Sequence, residues 1–246
     1  MEKYLFEKMP LTICSRDEIG VYLKNIKKSS EKKIISFVNP EIFLHQEKDG
    51  YLNDYFQKTD NNFVDGVNLF YAINKAFKTK YRSRDRLTGT DFFEYLPDDT
   101  KFRVFFYGAT HTNCVKAKRN IETFFSNVQI TDFVDGYTNL CDEELIDRIN
   151  LSSSDILVVC LGCPKQEYWI KRNFDKINVK LLFGNGGAID FWAGSVKRAP
   201  KYVIDAGFEW LFRLIAYPSW ARFKRQSRLI VFFLKYQMKI YKIFKI

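Results

Sequence analysis

The sequence predicts an α/β fold in which a mostly parallel sheet is flanked by helices. Three observations carry that prediction. Short apolar segments of strand type alternate with segments of helical period along most of the chain. Two of the apolar segments run straight into glycine turns and helix starts. Basic charge collects after Glu209, and after Pro218 the sequence changes character and reads as the basic amphipathic helix of a C-terminal appendage.

Ser15 with Glu18 forms a capping box for a first helix, about Arg16 to Lys27. A strand follows at Lys33–Val38, closed by Asn39-Pro40. Asp65-Gly66 opens a helix whose Val67, Phe70, Ile73 and Phe77 fall at helical spacing. Phe102–Tyr107 is a buried strand ending at Gly108, with helices from about Thr112 to Phe125 and over Asp142–Asn150. The strand Ile156–Cys160 runs into Gly162 and Pro164, with Gln166 and Glu167 in the first helical turn beyond. The strand Leu181–Phe183 runs into Gly184, Gly186 and Gly187. Such glycines let backbone N–H groups approach an anion, and a helix start adds about half a positive charge. The pattern is Rossmann-like, and it places a phosphate-bearing ligand at strand C-termini.

A chain of 246 residues accommodates one large α/β domain, divided here into a core over 1–195 and an appendage over 196–246. The start, MEKYLFEKMP, is charged and lacks the apolar core of a cleavable signal. The longest apolar run, Leu229–Leu234, is far short of the ~20 residues of a spanning helix. Five scattered cysteines suit a reducing compartment better than a disulfide framework. Cys160 and Cys163 lack a second ligand pair, His45 and His111 lack partners at metal spacing, and there is no Asp-x-Asp motif. No metal is expected.

From Trp210 onward there are nine Lys/Arg and no Asp or Glu, whereas the preceding residues carry 30 basic against 29 acidic groups. Arg225, Arg228, Lys235, Lys239 and Lys242 fall on one stripe of a helix, with Phe232, Phe233, Tyr236, Ile240, Ile243 and Phe244 filling much of the rest. A helix from Pro218 to the end would be roughly 42 Å long. It suits an anionic membrane surface better than nucleic acid. A core helix with a solvated basic edge is the other reading.

Several motifs occur together and in order. They are Asn39-Pro40-Glu41, Asp65-Gly66, Arg86-Leu87-Thr88-Gly89-Thr90-Asp91, Gly162-Cys163-Pro164-Lys165-Gln166-Glu167, Gly186-Gly187-Ala188-Ile189-Asp190, Ala193-Gly194, Arg198-Ala199-Pro200 and Gly207-Phe208-Glu209-Trp210-Leu211-Phe212-Arg213. On these the chain resembles, over nearly its whole length, the WecG/TagA/CpsF glycosyltransferases (glycosyltransferase family 26). The resemblance implies an α/β core and an inverting enzyme. Such an enzyme moves an N-acetylhexosamine-type sugar, N-acetylmannosamine or a relative, from a UDP-sugar donor to an undecaprenyl-diphosphate-linked sugar. It implies peripheral attachment at the cytoplasmic face of a bacterial membrane, independence of metal and cofactor, and a role in teichoic acid, capsule or exopolysaccharide synthesis.

Residue roles follow from matching positions. Inversion needs one carboxylate to take the acceptor proton. By spacing alone Asp65-Gly66 and Asp135-Gly136 serve equally, each also readable as a turn; the family pattern selects Asp65. Asn39 matches a sugar or acceptor contact, or else an Asn-Pro turn. Many members of the family carry Thr two residues before this Asn, where this chain has Phe37. Thr88 and Gly89 match the donor site, with Arg86 as a diphosphate partner or a surface ion-pair residue. Gln166 and Glu167 match contacts to uracil, ribose or sugar, although Glu167 also suits the helix dipole. Gly186 and Gly187 match close ligand approach, and Asp190 matches ligand contact or capping. Arg213, Arg222 and Arg225 match closure over a diphosphate, or headgroup binding. A non-catalytic membrane- or polyanion-binding module derived from this family is the competing function, supported mainly by Phe37.

Overall fold

The computed structural model describes residues 1–79, 81, 85–205, 208–218, 220, 232, 234 and 242–246. In chain order its elements begin with β1 (Glu2–Phe6), β2 (Met9–Ile13), α1 (Arg16–Lys28), β3 (Lys33–Val38), α2 (Pro40–Gln46), α3 (Gly50–Lys58), β4 (Asn61–Val64) and α4 (Val67–Phe77). A 3-10 helix (Gly89–Tyr95) leads to β5 (Phe102–Gly108), α5 (His111–Phe124), β6 (Val128–Val134), α6 (Asp142–Leu151), β7 (Ile156–Cys160) and α7 (Lys165–Asn173). The last elements are β8 (Leu181–Gly184), α8 (Ala188–Trp192), α9 (Lys201–Asp205), α10 (Glu209–Ala216) and β9 (Ile243–Lys245).

The strands among the described residues form one sheet in the order β6-β5-β7-β8-β3-β4-β2-β1-β9. From β6 through β2 the pairings are parallel; β1 joins β2 and β9 antiparallel. Helices cover both faces because the central strands bury both of theirs. On β3, Ile34 and Val38 enter one core cluster, with Phe43, Phe56 and Leu182. Ile35 and Phe37 enter the other, with Phe63, Phe92 and Phe183. The polar Ser36 is buried beside them because its hydroxyl donates to Asn62 Oδ1 at 2.5 Å, and Asn62 Nδ2 donates in turn to the carbonyls of Pro10 and Phe56.

Strands β7, β8, β3 and β4 are contiguous and parallel, so their C-terminal ends open side by side. Asn39, Asp65, Gln166 and the glycines after β8 all follow these four strand ends. That register, rather than proximity in sequence, assembles the site.

The C-terminus departs from the expected helix. Residues Ile243–Lys245 form β9 on the open edge of β1, with Tyr4 opposite Lys245 and Phe6 opposite Ile243. The edge of β1 offers unpaired backbone groups that a strand satisfies and a helix does not. Glu7 N donates to Lys242 O at 2.7 Å, Ile246 N donates to Lys3 O, and Lys245 pairs with Glu2. Phe232 is 1 % exposed and packs against Phe6 and Phe43. The tail therefore returns to the body. The basic stripe from Arg225 to Lys239 lies outside the described residues. Removing residues 243–246 is expected to cost about 1–2 kcal/mol, from lost cross-strand pairs and apolar burial. A thermal melt of the truncated chain measures it.

Candidate active site

Asp65 directly follows β4, and its backbone N–H donates to Val38 O at 2.9 Å, which places it beside the end of β3. Its carboxylate is half-buried, and Oδ2 faces the Gly89 N–H at 3.5 Å. Burial pushes this carboxyl up from its ordinary 3.8 to about 6. The Arg86 guanidinium and the Gly89 N–H oppose that shift, while the negative charges of Glu209 and Asp91 add to it. Asp65 therefore titrates where a base working near neutral pH should.

Thr88 caps the 3-10 helix, accepting from Asp91 N at 3.2 Å, and its own N–H donates to the Tyr95 hydroxyl. Gly89 is held from its other side, since Asn185 Nδ2 donates to Gly89 O at 2.7 Å. A Cβ at Gly89 would overlap the Asn185 side chain, so a larger residue there would displace the carboxamide from its bond. Asp91 forms a two-pronged ion pair with Arg198, one arm at 2.6 Å. Arg198 also walls a cavity of about 570 Å³ between the 3-10 helix, α5 and α8, whose floor includes Phe93, Phe125, Phe191 and Trp192.

Gln166 and Glu167 serve the scaffold of the glycine turn. Gln166 Oε1 accepts from Gly186 N at 2.8 Å, and Gln166 Nε2 donates to Glu167 Oε1 at 2.8 Å. The Gln166 side chain fills the space that a side chain at Gly184 would need, 2.6–2.7 Å from the Cβ position. Glu167 is 2 % exposed, and burial raises its carboxyl pKa. Among the described residues, Glu167 Oε2 and Arg86 Nε are buried without a hydrogen-bond partner.

The structure thus brings Asp65, Arg86, Thr88, Gly89, Gln166, Glu167 and Gly186–Gly187 to the same strand-end region. Two other residues are engaged locally. Asn39 Oδ1 caps α2, accepting from Glu41 N and Ile42 N at 3.0 Å. Asp190 Oδ1 accepts from Asn113 Nδ2 of α5 at 2.7 Å. Arg213 is described by its backbone alone, within α10; Arg222 and Arg225 lie outside the described residues. Phe37 does not line the site: its ring packs against Phe63, Phe92 and Phe183 in the core, with centroids 5.6–6.3 Å apart. Asp135 accepts from Tyr137 N and faces His111, after β6 at the far edge of the sheet. Sequence reasoning missed Asn185 and the Arg198–Asp91 pair. The first sits in full view within Gly-Asn-Gly-Gly; the second joins two of the quoted motifs.

A carboxylate raised by burial to about 6 lies at the ends of parallel strands, where Gly89 and Asn185 link it to a glycine turn, an arrangement able to accept a proton. The class is a group-transfer enzyme of α/β architecture. The chain belongs to the glycosyl transferase WecG/TagA/CpsF family, whose model matches residues 5–243. It is similar to the N-acetylglucosaminyldiphosphoundecaprenol N-acetyl-beta-D-mannosaminyltransferase of Bacillus spizizenii strain W23, with 30 % identity covering 81 % of this chain and 77 % of the relative. The enzyme of the same description from Bacillus subtilis strain 168 is 33 % identical over 77 % of this chain and 74 % of that relative. Among the described residues no helix is long and apolar enough to cross a membrane.

Proposed function

We propose that this glycosyltransferase moves N-acetylmannosamine, or a close N-acetylhexosamine, from UDP to the sugar of an undecaprenyl-diphosphate-linked acceptor, for a teichoic acid or similar surface polymer. The observation that carries the reading is Asp65, whose carboxyl is raised by burial to about 6 and whose Oδ2 faces the Gly89 N–H at the strand ends. The names of the two relatives support the sugar and the lipid carrier.

In this mechanism Asp65 takes the proton of the acceptor hydroxyl as its oxygen attacks the anomeric carbon. The new C–O bond forms opposite the breaking bond to the β-phosphate, the configuration inverts, and UDP leaves with the bonding electrons. The Gly186–Gly187 turn receives the diphosphate, and Arg86 supplies positive charge near the reacting centre. Residues 196–246 serve as the appendage that brings the core to the cytoplasmic face of the membrane.

The test of function is UDP release from a panel of UDP-N-acetylhexosamines with a lipid-diphosphate–GlcNAc analogue. Turnover with the mannosamine donor, dependent on acceptor, is the expected result; silence across the panel would favour a non-catalytic module. Membrane attachment is tested without truncation, because cutting the tail also removes β9 and Phe232 from the core. Replacing Arg228, Lys235 and Lys239 with Gln is expected to weaken binding to anionic vesicles by about 100-fold, at roughly 1 kcal/mol per charge near the surface. Vesicle sedimentation unchanged by this triple replacement would refute the tail's role.

A further inference from the structure

The geometry points to Asn185 as a positioning residue that ties the glycine turn after β8 to the catalytic carboxylate after β4. The inference rests on Asp65 being the base. Asn185 is anchored through its backbone on both sides: its N–H donates to Val159 O, and its C=O accepts from Ala188 N, each at 2.9 Å. The side chain is left to reach across to Gly89, where Nδ2 meets the carbonyl at 2.7 Å. The N–H of that same Gly89 faces Asp65 Oδ2.

On its other flank the turn is held by Gln166, which accepts from Gly186 N and is itself oriented by the buried Glu167. A continuous path therefore runs from Glu167 through Gln166, the turn, Asn185 and Gly89 to Asp65, crossing the ends of β7, β8 and β4. Two glycines make it possible, since side chains at Gly184 or Gly89 would collide with the amides of Gln166 or Asn185. Two carboxamides packed on two glycines form a brace, and Asn185 is its only side chain reaching the segment that faces the base.

The groups acting on Asp65 are Arg86, Glu209, Asp91 and the Gly89 N–H. Asn185 controls the last alone, so replacing it leaves the three charges in place. Displacing the Gly89 N–H weakens a 3.5 Å contact to the ionised form and raises the carboxyl's titration point. The attacking geometry also loosens, which lowers kcat more than it raises the donor KM.

The test follows the ¹³C signal of the Asp65 carboxyl through a pH titration of the full chain, with Asp65→Asn identifying the resonance. In Asn185→Ala the midpoint is expected to move up by about half a pH unit. In Asn185→Asp, which keeps the size, it should move further, because the new carboxylate both fails to donate to Gly89 O and adds a like charge near Asp65. With the donor and acceptor above, kcat should fall about 10-fold while the donor KM stays within about threefold. The Gly89→Ala and Asn185→Ala effects on kcat should be non-additive by the cycle of single and double variants. An Asp65 midpoint identical in parent and both variants overturns the inference, as does a shifted midpoint with kcat at the parental level. The titration needs no substrate. A parent that transfers no sugar therefore defeats the functional reading, while the titration still decides the role of Asn185.

Discussion

Asp65→Asn is expected to lower kcat by about 10³-fold while leaving donor affinity within about threefold. Asn keeps the size and the contact to Gly89 but accepts no proton, so the acceptor hydroxyl must attack unassisted. Isothermal titration with UDP and single-turnover kinetics separate binding from chemistry. Turnover at the parental rate would remove Asp65 from the mechanism. The same substitution should stabilise the fold at neutral pH. An unfolded Asp ionises near 3.8, whereas the folded protein holds this proton to about 6. The folded state thus binds the extra proton between those values, and that contribution to stability is lost as pH rises through them. Asn has no proton to lose. The Tm of the variant relative to the parent should climb from about pH 4 to pH 6 and then level off.

Arg198→Ala carries the second large effect, on stability first and on the base second. Arg198 and Asp91 have side chains 25 % and 9 % exposed, and the pair is two-pronged. Truncating the arginine leaves a buried carboxylate without its partner, at a cost of about 3 kcal/mol, and enlarges the cavity it walls. Asp91 already raises the Asp65 carboxyl, and without the guanidinium its charge acts unneutralised. The acid limb of activity should therefore move upward. Lysine should restore little, because one ammonium cannot reproduce two parallel contacts. Urea unfolding and the pH profile check both parts, and a variant as stable as the parent would show the pair to be a surface ornament.

The legible parts of the fold were those whose own residues carry the signal. β3 and β7 have the expected limits because nearly every residue in them is apolar and buried, and α1 has its capping box in full. The β1–β2 hairpin was not legible: its turn uses Glu7 at a φ of 55° and Lys8, without the Asn-Gly chemistry that announces such turns. β4 begins with two asparagines whose burial depends on partners in β2, β3 and α3. β9 misled because a three-residue strand inside a basic, aromatic stretch also fits helical spacing, and only the open edge of β1 decides between them. At the site, Asp65 and the glycines stood out through local motifs. Asn185 did not, since its partner Gly89 lies 96 residues away and is recognised only by how closely the two approach.

The pH dependence of kcat/KM tests the central claim, that Asp65 is the base, most directly. With UDP-N-acetylmannosamine and a lipid-diphosphate–GlcNAc acceptor, the parent should show one acid limb near the Asp65 value of about 6. That limb should vanish from the residual activity of Asp65→Asn. A limb that persists unchanged in the variant would mean that another group takes the proton.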